Sequence, residues 1–410
     1  MVNLVYLILL TLPTYLVRYK IFGIPTTLLE LEIYILAIIF FIDSTSNKYL
    51  MESVKRFINN PFIIPLALFF IAGVMSIFIA PDKIVSLGIF KAYFFDAILF
   101  FFLFVSIVRK EKEIRGSIIS VTIGAVVSSL IGLIQYFCFP YFLQEGRIVS
   151  LFSSPNYLSL FITPVIFLAF YLFKYKVNSR VMITKINFFQ YLALLILVIT
   201  LVFTYSRGAW LAFLISLLFY IGLIIAKRIK QGRTIVAAGF IIGLLLVFLF
   251  ITKGSYFLNI VPNDRIIKSD DVRIEIWKTS LEIGRNNWIL GIGLGNFQDY
   301  FGEYTSDRIN YSEYITPHAL TPHNMFLNIW LQVGLLGLLG ILGLLGAFFL
   351  CGWRMLRANF LLSIVLLTSM VAIITQGLVD SSIWKNDLMI YFWFLIGLMS
   401  VIKNKKSKNA

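Results

Sequence analysis

The feature that most constrains this chain is an apolar run, close to a helix-span in length, that recurs from one end of the sequence to the other. A helix needs about 20 apolar residues to cross a bilayer. Stretches of this kind lie at 2–18, 28–42, 62–80, 86–108, 117–138, 157–174, 189–204, 209–226, 234–252, 325–350, 360–379 and 388–402. That predicts about twelve spans, the second short and 325–350 with room for a half-helix outside the bilayer. Only 13% of the 410 residues are charged and 60% are hydrophobic, whereas a soluble domain carries about 25% charged residues. In hydrocarbon each backbone N–H and C=O must be satisfied within its own segment, which a helix does. The expected fold is therefore an all-α integral membrane protein. Its expected parts are a nine-helix membrane region (1–252), a large loop containing short helices (253–324), a three-helix membrane region (325–402) and a basic tail (403–410).

Net charge is +15. In a soluble chain that would suggest nucleic acid. Here the Lys and Arg residues sit in short clusters between apolar runs, so they set topology and no nucleic-acid partner is expected. Lys48, Lys55 and Arg56, the groups at 109–115, 174–185 and 227–233, Arg354, Arg357 and the tail fall in alternate connections. The other short connections hold only Arg18, Lys20, Lys83, Arg147, Arg207 and Lys385. The positive-inside rule then places both termini in the cytoplasm, with the second set of connections and the 253–324 loop outside. Cys138 and Cys351 fall on opposite faces and are not expected to pair. The first ten residues lack a basic leader and a cleavage site, and are expected to stay as a helix.

The long loop has helical periodicity. Val272 and Ile276, and Trp277 and Leu281, are each four apart, and Ile283 follows Ile276 by two turns, seven residues on. Asp270 and Asp271 suit its N-terminus and Gly284 its end. Gly291, Gly293 and Gly295 lack the βαβ context of a nucleotide fingerprint and predict a tight turn back toward the membrane. Gly334, Gly337, Gly340 and Gly343 predict close helix packing.

The sparse external charges carry most of the chemical information. Arg207 stands in Thr204-Tyr205-Ser206-Arg207-Gly208, between two spans joined by almost no loop. Arg147 precedes Pro155-Asn156, a helix-starting pair, and Arg273 opens the loop helix. Each arginine also has a plain reading, as a snorkelling anchor, a loop charge or part of a solvated face. The two histidines, His318 and His323, are five apart, with no cysteine near them in sequence and no His-Glu-x-x-His to complete a zinc site, so no metal is expected. His323 instead suits a general base. Glu30, Glu32, Lys91 and Asp96 lie within apolar runs; Lys91 and Asp96 are too poorly spaced to pair with each other. Asp380 begins the last external loop. Arginines with a histidine on one face suit a dense anion such as a lipid-linked diphosphate sugar.

These motifs resemble the O-antigen ligase and polysaccharide polymerase family of bacterial membrane glycosyltransferases. The matching residues are Arg147 with Pro155-Asn156, the 204–208 motif, Arg273 with Trp277, Gly291 to Phe297, and His323-Asn324 followed by Gly334 and Gly337. They cover roughly residues 140–345. The family's glutamate before the glycine after His-Asn is replaced by Gln332 in Gln332-Val333-Gly334. The resemblance implies a GT-C-like fold in the bacterial cytoplasmic membrane. It also implies cofactor-free, metal-independent transfer of a glycan from undecaprenyl diphosphate to a glycan or lipid acceptor. By the same resemblance His323 is the catalytic base, Arg207, Arg273 and Arg147 hold the diphosphate, and Asn324, Ser206 and Asp380 support them. Ligase and polymerase both remain open. The alternative is a lipid-linked glycan flippase or other transporter using Lys91 and Asp96; it expects inverted repeats, and the sequence shows none.

Overall fold

A computed structural model describes residues 1–21, 24–43, 47–174, 180–227, 263–306 and 319–407. The expected span at 234–252 and His318 lie outside the described residues. The described chain is almost entirely helical, with one short hairpin. Among the described residues six helices are long and apolar enough to cross a membrane, or seven if a bent pair counts as one span. Phe188–Phe203 and Asn386–Ile402 are apolar but shorter. Several apolar helices of this kind make a multi-pass membrane protein. The expected number of twelve is not reached by this measure.

The N-terminal expectation changes most. The run at 2–18 is not one helix: α1 (Val2–Leu10) stops before Pro13, and a 3₁₀ turn follows over Leu12–Leu16. Strands β1 (Arg18–Ile21) and β2 (Ile24–Thr27) then pair antiparallel, Arg18 opposite Thr27. Next come α2 (Leu28–Asp43) and α3 (Asn47–Ile58), and α4 (Ile63–Ile79) turns from α3 by 87°. The charged stretch before α4 is therefore an amphipathic helix across the end of a span, not an open loop. Helix α5 (Lys83–Phe90) runs through a π-turn into α6 (Asp96–Ile107). Lys91 on that turn finds its partner in Glu30, at 2.6 Å. This ion pair satisfies one of the charges on which a transport reading rested.

Helices α7 (Glu111–Cys138), α8 (Pro155–Ala169), α9 (Arg180–Phe203) and α10 (Arg207–Ala226) follow. As expected, α8 starts at Pro155, with the Ser154 hydroxyl capping Tyr157 N–H. The long connection holds α11 (Asn263–Asn286) and α12 (Phe297–Thr305). Helix α11 begins before Asp270 and Asp271, so they lie within it rather than at its N-terminus, and it runs past Gly284. Val272, Ile276 and Ile283 are buried as their spacing predicts, while Leu281 is exposed. They pack with Phe297, Phe301 and Ala319, and with Leu331 of the helix that follows, into a small separate core.

The last three helices are α13 (Met325–Met355), α14 (Phe360–Gly377) and α15 (Asn386–Ser407). α14 is buried over almost its whole length and packs on α8 and α10, while α15 packs on α6. Lipid tails are as apolar as leucine, so such helices associate by close packing. α13 lies along α4, and a Cβ on Gly340 would sit 2.7 Å from the Phe69 backbone nitrogen. Gly334 does something different. It breaks α13 with φ 71° and ψ −171°. The backbone groups released there are taken up by the glycine turn: Leu335 N–H donates to Ile289 C=O at 2.9 Å, and Ile292 N–H to Leu331 C=O at 2.7 Å. Met325–Val333 is thus a half-helix clasped by the connection. Neither cysteine is in a disulfide.

Candidate functional site

Four helix ends meet at one end of the bundle: the starts of α8, α10 and α13 and the finish of α14. They frame a cleft of about 80 Å³, lined by Arg147, Asn156, Tyr205, Ser206, Arg207, Gly208, Arg273, Gln376, Val379 and Asp380. That is several times the roughly 10–15 Å³ one water needs. The three arginines singled out in the sequence come from three separate segments, and the fold brings them to this one cleft. Among the described residues Asp380 is the one acid in its lining.

The turn bearing Arg207 is tightly specified. Tyr205 adopts φ 47°, a left-handed conformation uncommon for a side-chain-bearing residue. The Thr204 hydroxyl donates to Leu201 C=O at 2.7 Å, and Trp210 Nε1 donates to the same carbonyl at 3.0 Å. A Cβ on Gly208 would lie 2.7 Å from Val379, so glycine lets α10 approach the loop after α14. Ser206 stands at the N-cap of α10 without a side-chain capping bond, and lines the cleft.

Arg147 is held from two sides. Its Nε donates to Thr204 C=O at 2.8 Å and its Nη2 to Asn156 Oδ1 at 2.8 Å. Asn156, read in the sequence as a helix start and as part of the matching motif, thus ties α8 through Arg147 to the Arg207 turn. Burial pulls the Arg147 guanidinium below its ordinary range; Glu145 opposes this, while Arg273 and Arg207 add to it. The cleft is therefore a crowd of positive charge that an anion would relieve.

His323 stands at φ 47° immediately before α13. Its Nδ1 faces Asp380 Oδ1 at 3.5 Å, a charge-pair distance slightly long for a made hydrogen bond. Asn324 fixes that placement. Its Oδ1 accepts from Phe326 and Leu327 N–H at 3.0 Å each, capping α13, and its Nδ2 donates to Leu378 C=O at 3.0 Å. The side chain expected to support the site staples the histidine's helix to the loop carrying Asp380. Asn324→Ala is expected to cost about 1 kcal/mol as a lost cap and to lower turnover by loosening the pair. A thermal melt together with an activity assay checks both.

Burial alone would raise the Asp380 carboxyl, but His323, Arg273 and the Ser381 N–H outweigh it and hold the carboxyl below its usual range. A depressed carboxylate adds stability above its unfolded value near ~3.9, lost as pH falls through the lower folded value. Asp380→Asn should therefore lower the melting temperature at neutral pH, with the gap closing below about pH 4. A gap independent of pH would contradict this.

Gln332, in the place of the expected glutamate, does not line the cleft. Its Oε1 accepts from Gly295 N–H at 2.9 Å, its Nε2 donates to Asn328 at 3.1 Å, and its carbonyl accepts from Ser76. An amide both accepts and donates there, so glutamine seats the glycine turn where a carboxylate could only accept. Two participants were not singled out from the sequence, Gln376 and Val379. Neither had a signal beyond its position next to Asp380, since α14 reads as an ordinary apolar span. On the far side of the same loop Lys385 donates to Tyr15 Oη at 2.9 Å and Ser153 Oγ at 2.7 Å, above the Tyr157 ring. Burial draws its ammonium down to about 8.

Residues 192–342 match the model of the O-antigen ligase family. The match runs from within α9 to within α13 and includes Arg207, Arg273 and His323. It bears out the resemblance read from the motifs: over this segment the chain is similar to O-antigen ligases, which are membrane glycosyltransferases. Arg147, Asn156, Gln376 and Asp380 lie outside the matched segment, and the fold supplies them to the same cleft. No curated protein matches the chain.

Proposed function

We propose that the protein transfers a glycan from an undecaprenyl-diphosphate donor to an acceptor hydroxyl, without a metal, at the outer face of the bacterial cytoplasmic membrane. Both termini then lie in the cytoplasm, as the Lys and Arg bias requires. The observation that carries this reading is the convergence of Arg147, Arg207 and Arg273 on one cleft where Asp380 faces His323. Arg207 and Arg273 hold the diphosphate, because guanidinium forks match phosphate oxygens. Arg147, already committed to Thr204 and Asn156, mainly positions the Arg207 turn. His323 removes the acceptor hydroxyl proton, and Asp380 orients the imidazole and stabilises its charged form. The acceptor oxygen bonds to the anomeric carbon as the sugar–phosphate bond breaks. The departing diphosphate keeps that electron pair, and the arginines stabilise its charge.

Arg207→Lys and Arg273→Lys test the fork. Each keeps the charge but loses bidentate geometry, and each is expected to reduce transfer at least tenfold, a loss of about 1.4 kcal/mol. Full activity in both lysine variants would remove the diphosphate from the cleft. Supplying lipid-linked repeat units alone sorts the two enzyme types. Growing chains mark a polymerase, and a reaction that waits for a second acceptor marks a ligase.

A further inference from the structure

Gln376, at the end of α14, lines the cleft beside the three arginines and is only 2% exposed. Its Nε2 donates to Ser159 Oγ at 2.9 Å. The Ser159 hydroxyl has one proton, which it gives to Asn156 C=O at 2.8 Å. Ser159 Oγ can therefore only accept from Gln376, and the bonding network sets the amide with nitrogen toward Ser159 and oxygen away. That oxygen, Oε1, has no hydrogen-bond partner among the described residues. A buried carbonyl left without a donor calls for an explanation, and a site that binds ligand supplies one.

The chemistry of the cleft narrows the ligand group. Guanidinium groups only donate, and they suit a diphosphate, which only accepts. Gln376 Oε1 is an acceptor and gains nothing from phosphate oxygens. A ligand that satisfies both must carry a donor close to its phosphates. We infer that Gln376 is a specificity residue for the sugar joined to the diphosphate, accepting a hydrogen bond from a hydroxyl or acylamino N–H beside the anomeric carbon. The inference rests on the donor assignment above and adds to it the reading of one sugar position.

The test uses the full-length protein in detergent and three polyprenyl-diphosphate sugars that differ at carbon 2: hydroxyl, acetamido or deoxy. The wild type is expected to favour one of the first two over the deoxy donor by about 10- to 100-fold in kcat/KM. Gln376→Met, of similar length but without the acceptor, is expected to slow that preferred donor and to treat it and the deoxy donor alike. Ser159→Ala, which lets the amide rotate, should lower the same ratio. A Gln376→Met or Ser159→Ala protein that keeps the wild-type ratio overturns the inference, as does a wild type without preference. A purely structural role would slow all donors equally and leave the ratio unchanged, which also overturns it. A wild type that transfers none of the three refutes the donor assignment itself, and the inference with it.

Discussion

His323→Ala is expected to slow glycan transfer by roughly 10²–10⁴-fold, the usual worth of a positioned acid–base group. The effect should fall on kcat more than on KM, because a base acts in the transition state rather than in donor binding. Three features of the structure single out this residue. It precedes the half-helix Met325–Val333, its φ of 47° is held by the Asn324 cap, and its Nδ1 faces Asp380. Asp380→Asn removes the charge opposite the imidazole and should slow transfer in the same direction, by less. Wild-type rates for His323→Ala in membranes, with the protein present at normal levels, would end its role as base.

Gly334→Ala is expected to destabilise the protein by upward of about 3 kcal/mol, combining a glycine-only conformation with a backbone collision. A Cβ at this position would lie 2.2 Å from Ile289 C=O and 2.6 Å from the Leu290 carbonyl carbon. Neither can give way cheaply, because the turn that carries them satisfies the broken rungs of α13. Gly346→Ala on the same helix is the control, as its Cβ would meet nothing within 4 Å. Loss of folded protein in the first variant and an unchanged melt in the second are the expected pair. Equal stability of the two would mean the half-helix is not clasped as described.

Much of the site was legible before folding, for a physical reason. Charges are expensive near hydrocarbon, so the few arginines that persist between spans stand out against a chain that is 60% hydrophobic. Arg147, Arg207, Arg273, His323 and Asp380 could therefore be picked from the sequence. Their division of labour could not. Arg147 reads like the other two arginines, yet two of its donors are bound by Thr204 and Asn156. Asn324 reads as a supporting residue, but that it caps α13 and binds the Leu378 carbonyl is not written in the motif. The transport reading leaned on Lys91, which Glu30, 61 residues away in sequence, neutralises. Spacing along one helix does not report such pairings.

The sequence by itself determined that this is a bundle of apolar helices, because backbone polar groups have no other way to be satisfied in a bilayer. It also determined that Arg147 and Arg207 stand between apolar runs. Only the tertiary structure decided that four helix ends converge, that α13 is broken and re-satisfied by the glycine turn, and that a buried amide on α14 lines the same cleft as three arginines. Those features depend on contacts between residues far apart in the chain, and local apolar pattern carries no record of them.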